Sequence, residues 1–287
     1  GMETDAANKE LGFDPKDIHY LLLSHAHIDH SGLIPYIYSR GFRGKIFCTP
    51  ATRDLCELML QDTAFIQEQD VKWYNKKMAR QHKPKIKPLF DSNHAQQVMK
   101  HFRSVDYNTP YRIDDEIEFQ FINSGHMLGS AVVHLTIKEH GETKRIAYTG
   151  DIGRLHSHIL STPQAFPQCD YLICESTYGD RLHDDELVSE EQLLGVVEET
   201  CMYKKGKLLI PSFSVGRTQE IVYVLNELYN DGRLERVPVY VDSPLSANAT
   251  EIFRRHADTL NEQVRDTMRY DADPFGFNTL HYITDVQ

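Results

Sequence analysis

The chain has 287 residues, enough to bury a large core in one domain or two. Its hydrophobic share is 40%, with 12 Pro and 16 Gly, an ordinary globular balance, and no apolar run is long enough to span a bilayer. The net charge of −11 argues against a generic basic surface for nucleic acid, but not against a nucleic-acid enzyme whose bound cations supply the local positive charge. The five cysteines, Cys48, Cys56, Cys169, Cys174 and Cys201, show no CxxC spacing. They read as free, buried thiols in a reducing compartment, so a cytoplasmic location is expected. No signal-peptide pattern is visible.

In chain order, the apolar run Tyr20-Leu21-Leu22-Leu23 predicts a buried strand that ends at Ser24. A histidine-rich loop follows, then an apolar segment at 33–38. Lys45-Ile46-Phe47-Cys48 reads as a second strand. Thr49-Pro50 starts a helix, with Thr as cap and Pro in the first turn. Leu55, Leu58, Met59 and Ile66 supply a buried stripe that carries this helix to the Met78 region. The basic, Pro-broken stretch from Lys83 to Pro88 reads as a solvated connection. A short helix is expected at 93–103. From 116 the period changes to two: Ile117, Phe119 and Phe121 alternate with polar residues, and strands at 131–137 and 145–149 flank a turn at Gly141. After a strand at Tyr171-Leu172-Ile173-Cys174, helices at 187–203, 217–230 and 245–256 alternate with short strands at 207–210 and 237–241. That is the rhythm of a parallel sheet covered by helices, and a second domain is expected to begin near 183.

The chemistry concentrates in His25-Ala26-His27-Ile28-Asp29-His30, four candidate metal ligands in six residues. In an extended chain His25 and His27 point to one side and can hold one ion. Ser31-Gly32 can then turn the chain and bring Asp29 and His30 towards a second. Imidazole and carboxylate suit zinc or another borderline divalent ion. Two further candidates lie in loops at strand ends: His126, within Ser124-Gly125-His126-Met127-Leu128-Gly129-Ser130, and Asp151, within Thr149-Gly150-Asp151-Ile152-Gly153.

This order of motifs resembles the metallo-β-lactamase superfamily of binuclear metallohydrolases, an αββα sandwich. The resemblance implies that His25, His27 and His126 hold one metal, that Asp29 and His30 hold the other, and that Asp151 bridges both. It further implies a hydroxide shared by two ions, zinc by family analogy with manganese or iron as alternatives, and an Asp29 able to take a proton from the bridging water. Three later stretches resemble the β-CASP branch of RNA- and DNA-processing nucleases, in which an α/β cap domain is inserted: Glu175-Ser176-Thr177-Tyr178-Gly179, Pro211-Ser212-Phe213-Ser214-Val215-Gly216-Arg217, and Val241-Asp242-Ser243-Pro244. On its own the second stretch is a tight turn into a helix. Beside the other two it implies phosphate contacts from Ser212, Ser214 and Arg217. Asp242 and Ser243 fit a phosphate contact or a helix cap. Glu175 is implied to orient a histidine that protonates the leaving oxygen.

The family's first strands and its two last histidine motifs are not found in the 287 residues, so both the lactamase domain (1–182) and the cap domain (183–287) are expected to be incomplete. The implied activity is hydrolysis of RNA phosphodiesters, endonucleolytic or 5′-exonucleolytic, with RNA as partner ahead of DNA, no membrane, and a homodimer compatible with the pattern. Two other readings stay open: a hydrolase of small esters or thioesters, and a catalytically silent relative that binds RNA as a scaffold.

Overall fold

The computed structural model describes residues 8–81, 84–181, 190–234 and 237–284. Their contacts divide them into two compact units. One holds the chain up to Ser124 with Gly129–Asp151 and Gln164–Ile173; the other holds Gly125–Leu128, Ile152–Pro163 and the chain from Cys174 onward. The expected boundary at 182/183 lies outside the described residues, as does Lys83.

In the first unit, Tyr20–Leu22 (β1), Lys45–Cys48 (β2) and Phe102–Ser104 (β3) form a parallel sheet in that order. Parallel neighbours need long crossovers, and helices supply them. Ile28–Ser31 (α1) and Ile34–Ser39 (α2) lie between β1 and β2, and Pro50–Ala79 (α3) and Ser92–Val98 (α4) between β2 and β3. The predicted cap holds: the Thr49 hydroxyl oxygen accepts the Thr52 N–H at 3.3 Å, with Pro50 in the first turn.

A second sheet runs Tyr111–Arg112 (β4), Ile117–Asn123 (β5), Ala131–Glu139 (β6), Glu142–Tyr148 (β7) and Tyr171–Ile173 (β8), antiparallel except for the β7–β8 pair. The period-two reading of β5 is seen directly, since Phe119 and Phe121 are both buried. Phe47 of β2 lies 5.2 Å, ring to ring, from Phe119, which lies 5.1 Å from Phe121. Val105, Ala131 and Val133 complete this cluster, so the two sheets stack face to face. The other face of the five-stranded sheet buries Ile122, Val132 and Ala147 under Phe166 and Cys169.

Three expectations are corrected here. Ile66 is not part of a buried stripe but 49% exposed, and the last fully buried residue of α3 is Ala64. The helix overruns its support: 30 residues extend about 45 Å, whereas the three-residue β3 beneath it covers about 10 Å. The cysteines are all free, but only Cys48 and Cys56 are buried; Cys174 is exposed, just past β8, which among the described residues is an edge strand with Tyr171, Leu172 and Ile173 57, 53 and 57% exposed. Burial pushes the Cys56 thiol up to about 12.

In the second unit, Glu190–Val197 (α5) runs into a π-helical turn at Glu198–Tyr203, followed by Arg217–Asn230 (α6), Val239–Val241 (β9), Pro244–Arg255 (α7), Glu262–Thr267 (α8) and Leu280–Tyr282 (β10). Leu194, Val197, Val224, Leu225, Leu228 and Leu234 form its core. Residues 187–189 of the first predicted helix lie outside the described residues. The third correction falls at 207–210, which forms no strand. A strand needs a ladder neighbour; β9 pairs in parallel with β10 alone among the described residues, and Leu209 is left 88% exposed. The loop 152–163 joins this unit through Asn261, whose N–H donates to Ile159 O at 3.0 Å and whose side-chain amide donates to Ser157 O and His158 O at 3.1 and 3.0 Å. No helix among the described residues is long and apolar enough to cross a membrane.

Candidate metal centre

Three strand ends meet at Ser24. The pairing of β1 with β2 continues to Leu23, whose N–H donates to Phe47 O at 2.9 Å. Ser24 O then accepts the N–H of Ala131, the first residue of β6, at 2.8 Å. Gly150, just past the end of β7, comes so close that a Cβ on it would stand 2.7 Å from Ser24 Cβ, and its φ of +53° is itself a glycine conformation. The Ser24 hydroxyl lies 3.1 Å from His25 Nδ1. Such a contact fixes the imidazole and leaves Nε2 for another use.

The histidine-rich loop is extended over His25-Ala26-His27 and then winds into α1, with His27 as its N-cap residue. The turn thus comes three residues earlier than the expected one at Ser31-Gly32, and Ser31 has a different task. Its hydroxyl donates to Ala26 O at 2.8 Å and to His27 O at 3.0 Å, fastening the helical turn to the extended stretch. The His25 ring packs 5.0 Å from His27 and 4.1 Å from His30. Asp151 spans the group: its Oδ2 is 3.7 Å from His25 Nε2, and its Oδ1 is 3.3 Å from His30 Nε2. Asp29 Oδ2 is 3.6 Å from the same His30 nitrogen, with 76% of its side chain exposed. The Tyr148 hydroxyl lies 3.5 Å from His30 Nδ1. Burial, together with the charges of Asp151 and Asp29, raises the Tyr148 phenol above its ordinary value, so it stays protonated.

His126 rides on the β5–β6 connection, and residues of the first unit close this loop at its root. Ser124 N–H donates to Ser130 O at 3.2 Å, and the two hydroxyls meet at 2.9 Å. Gly129 O accepts the hydroxyls of Thr49 and Thr52 at 2.6 and 2.8 Å, so the start of α3 holds the loop's far end. Donor atoms of His25, His27, His126 and Asp151 all lie within 4.8 Å of one another. Three imidazoles and a carboxylate converging in this way suit a borderline divalent cation, so the residues present fit a metal site. His30 and Asp29 stand beside this group of four rather than within it, linked through Asp151.

The remaining candidates are placed as follows. Glu175 accepts the Ile152 N–H at 2.7 Å. Burial pushes its carboxyl up, but donors from Ile152 and Thr177 and the neighbouring His126 outweigh this and hold it below the usual carboxylate range. Ser212 meets the Thr218 hydroxyl at 2.8 Å, and Ser214 meets the Ser243 hydroxyl at 3.2 Å. Ser243 is the N-cap of α7, accepting the Ser246 N–H at 3.1 Å, so that helix begins at Pro244, one residue ahead of expectation. Arg217 donates to Glu220 at 2.8 Å on its own helix, an ion pair any phosphate would have to displace. Sequence reasoning missed three residues. Ser24 and Tyr148 orient histidines; both flank the metal motifs, and that adjacency was the available signal. Gln219, fully buried, links the Ser/Gly loop to α7: its side chain accepts the Gly216 N–H at 2.7 Å and donates to Ser246 O and the Thr250 hydroxyl at 3.3 and 3.0 Å. A polar residue one turn into a helix gave no hint of it.

Comparison with known proteins agrees with this layout. A family model described as Metallo-beta-lactamase superfamily matches residues 1–194, and one described as Beta-Casp domain matches residues 218–287. The chain is 32% identical over 276 residues to Ribonuclease TTHA0252 of Thermus thermophilus, covering 96% of this chain and 58% of that protein. It is 36% identical over 269 residues to the Transcription termination factor FttA of Methanocaldococcus jannaschii, covering 92% of this chain and 39% of that one. An RNase J-like protein of the same organism is 32% identical over 266 residues, with 92% of this chain and 56% of that protein covered. The chain thus spans roughly two to three fifths of the relatives it matches. With matched models over both parts and the histidine–aspartate cluster at the expected motifs, the chain belongs to the metallo-beta-lactamase superfamily and carries a Beta-Casp domain.

Proposed function

We propose that the protein is a metal-dependent ribonuclease acting on RNA phosphodiester bonds in the cytoplasm, with its lactamase-like and cap domains meeting near 182/183. The observation that carries the reading is the placement of Asp151, one carboxylate with an oxygen towards His25 and the other towards His30. Asp151 would thereby be able to serve two cations at once. His25, His27 and His126 would hold the first, and Asp29 and His30 the second, with zinc the best match to nitrogen-rich ligands. When bound, such a pair supplies Lewis acidity and an acidified water at a phosphoryl centre. The chain's own residues do the rest. Ser24 and Tyr148 hold the two histidine rings in register. Asp29, with its carboxylate largely exposed, accepts a proton. Glu175 braces the backbone just after Asp151 and would orient a leaving-group acid. Ser212, Ser214 and Ser243 would donate hydroxyls to backbone phosphate, with Arg217 joining them once it leaves Glu220.

Relatives whose names denote a ribonuclease, an RNase J-like protein and a transcription termination factor support RNA as the substrate. The test is Asp151→Ala in the full-length protein, with RNA cleavage and metal content measured on one sample. Both are expected to fall, cleavage by more than roughly a hundredfold. Undiminished cleavage with full metal content overturns the proposal.

A further inference from the structure

Beyond Ala64, no residue of α3 is fully buried as far as its end at Ala79. This free half of the helix nevertheless turns large apolar groups outward: Phe65, Ile66 and Trp73 are 56, 49 and 64% exposed. Residues 65, 66, 69, 73 and 77 recur at three- and four-residue steps and therefore share one side. Past Glu68 and Asp70 the region turns basic. Seven of the 31 Lys and Arg residues fall between Lys72 and Lys87, with no Asp or Glu among them, in a chain of net charge −11. Lys72, Lys76, Lys77, Arg80, Lys85 and Lys87 are all exposed.

The segment after the helix is held in place. The Asn75 side chain donates to Ile86 O and accepts the Ile86 N–H, both at 2.9 Å, so Lys85 and Lys87 are kept alongside the helix. The Lys77 ammonium stands 4.8 Å from the centre of the Trp73 ring. Lysines in a last helical turn favour the helix dipole, which accounts for Lys76 and Lys77. It accounts for neither Lys72, Lys85 and Lys87 nor an outward tryptophan. A protein partner would favour a contact centre depleted of charge. An open indole among cations instead matches a single strand of nucleic acid, with a base on the ring and phosphates on the lysines.

The geometry points to the second half of α3 and its pinned basic segment as an RNA-binding surface outside the metal cluster, with Trp73 as the stacking residue. This rests on RNA being the substrate, and the test separates the two claims. Trp73 is the chain's one tryptophan, so its fluorescence reports on this face alone. The full chain is titrated with a hydrolysis-resistant phosphorothioate oligouridylate of about twelve nucleotides. Quenching of Trp73 that weakens with salt is expected. Alanine at Lys72, Lys76, Lys85 and Lys87 together should reduce the salt-dependence slope by about 3. Trp73→Ala should weaken binding of the labelled oligomer roughly tenfold, with metal content unchanged. Binding seen by anisotropy without quenching overturns the surface, as does equal quenching by polyglutamate, which would mark an acidic-protein site. Cleavage without quenching removes this surface and leaves the nuclease reading standing; quenching without cleavage does the reverse.

Discussion

Single side chains around the metal cluster act chiefly by holding others still. Ser24 supplies a hydroxyl 3.1 Å from His25 Nδ1, and loss of such an orienting contact weakens metal binding by roughly ten- to a hundredfold. Ser24→Ala should therefore release metal to a competing chelator at lower chelator concentration, with the fold intact by circular dichroism. Gly150→Ala is expected to be harsher, because the new Cβ both meets Ser24 and sits at a φ that alanine disfavours. It should displace Asp151 and lower bound metal below one ion per chain, as read by elemental analysis. The six candidate ligands were legible because they sit in three short motifs, and four of them, His25, His27, His126 and Asp151, bring donor atoms within 4.8 Å of one another. Their helpers were not: a serine or a tyrosine has too many ordinary uses for its identity to announce a role, and the contact Tyr148 makes with His30 joins residues 118 positions apart.

At the scale of elements, the start of α3 does two jobs. Thr49 caps the helix and also donates to Gly129 O at 2.6 Å, tying the His126 loop to the helix end. Thr49→Ala should cost about 2 kcal/mol, from a lost cap and a lost buried hydrogen bond. It should lower the urea midpoint and weaken metal binding together, and a change in stability alone would show that the tie to Gly129 is idle. The cap was readable from Thr-Pro, and the β5–β7 meander from its period of two, because both signals are local. The overrun of α3 and the absence of a strand at 207–210 were not readable. Whether an apolar residue is covered depends on how far its neighbour extends, and whether an extended run becomes a strand depends on a partner distant in sequence.

Across the molecule, each unit has its own core, and the second carries its own acid-sensitive tie. Asp271 accepts amide hydrogens from Asn226 and Asn230 at 2.6 and 2.8 Å. Burial pushes its carboxyl up, but these donors and the Asp273 N–H outweigh it and hold the group below the usual carboxylate range. A depressed folded value contributes stability above the unfolded pKa of about 3.9 and loses it as the pH falls through the folded value. Asp271→Asn should thus cost about 1–2 kcal/mol at neutral pH, and the gap between variant and parent should close in melts as the pH falls below the ordinary carboxylate range.

Among the described residues strand β8 is left uncovered, and this has a consequence for handling the chain in solution. Its three apolar side chains and one row of open backbone groups offer a template on which a second molecule can hydrogen-bond edge to edge. Concentrated samples should therefore scatter more light than dilute ones, and a charge placed there, as in Leu172→Lys, should suppress that growth while leaving the cation-holding residues untouched.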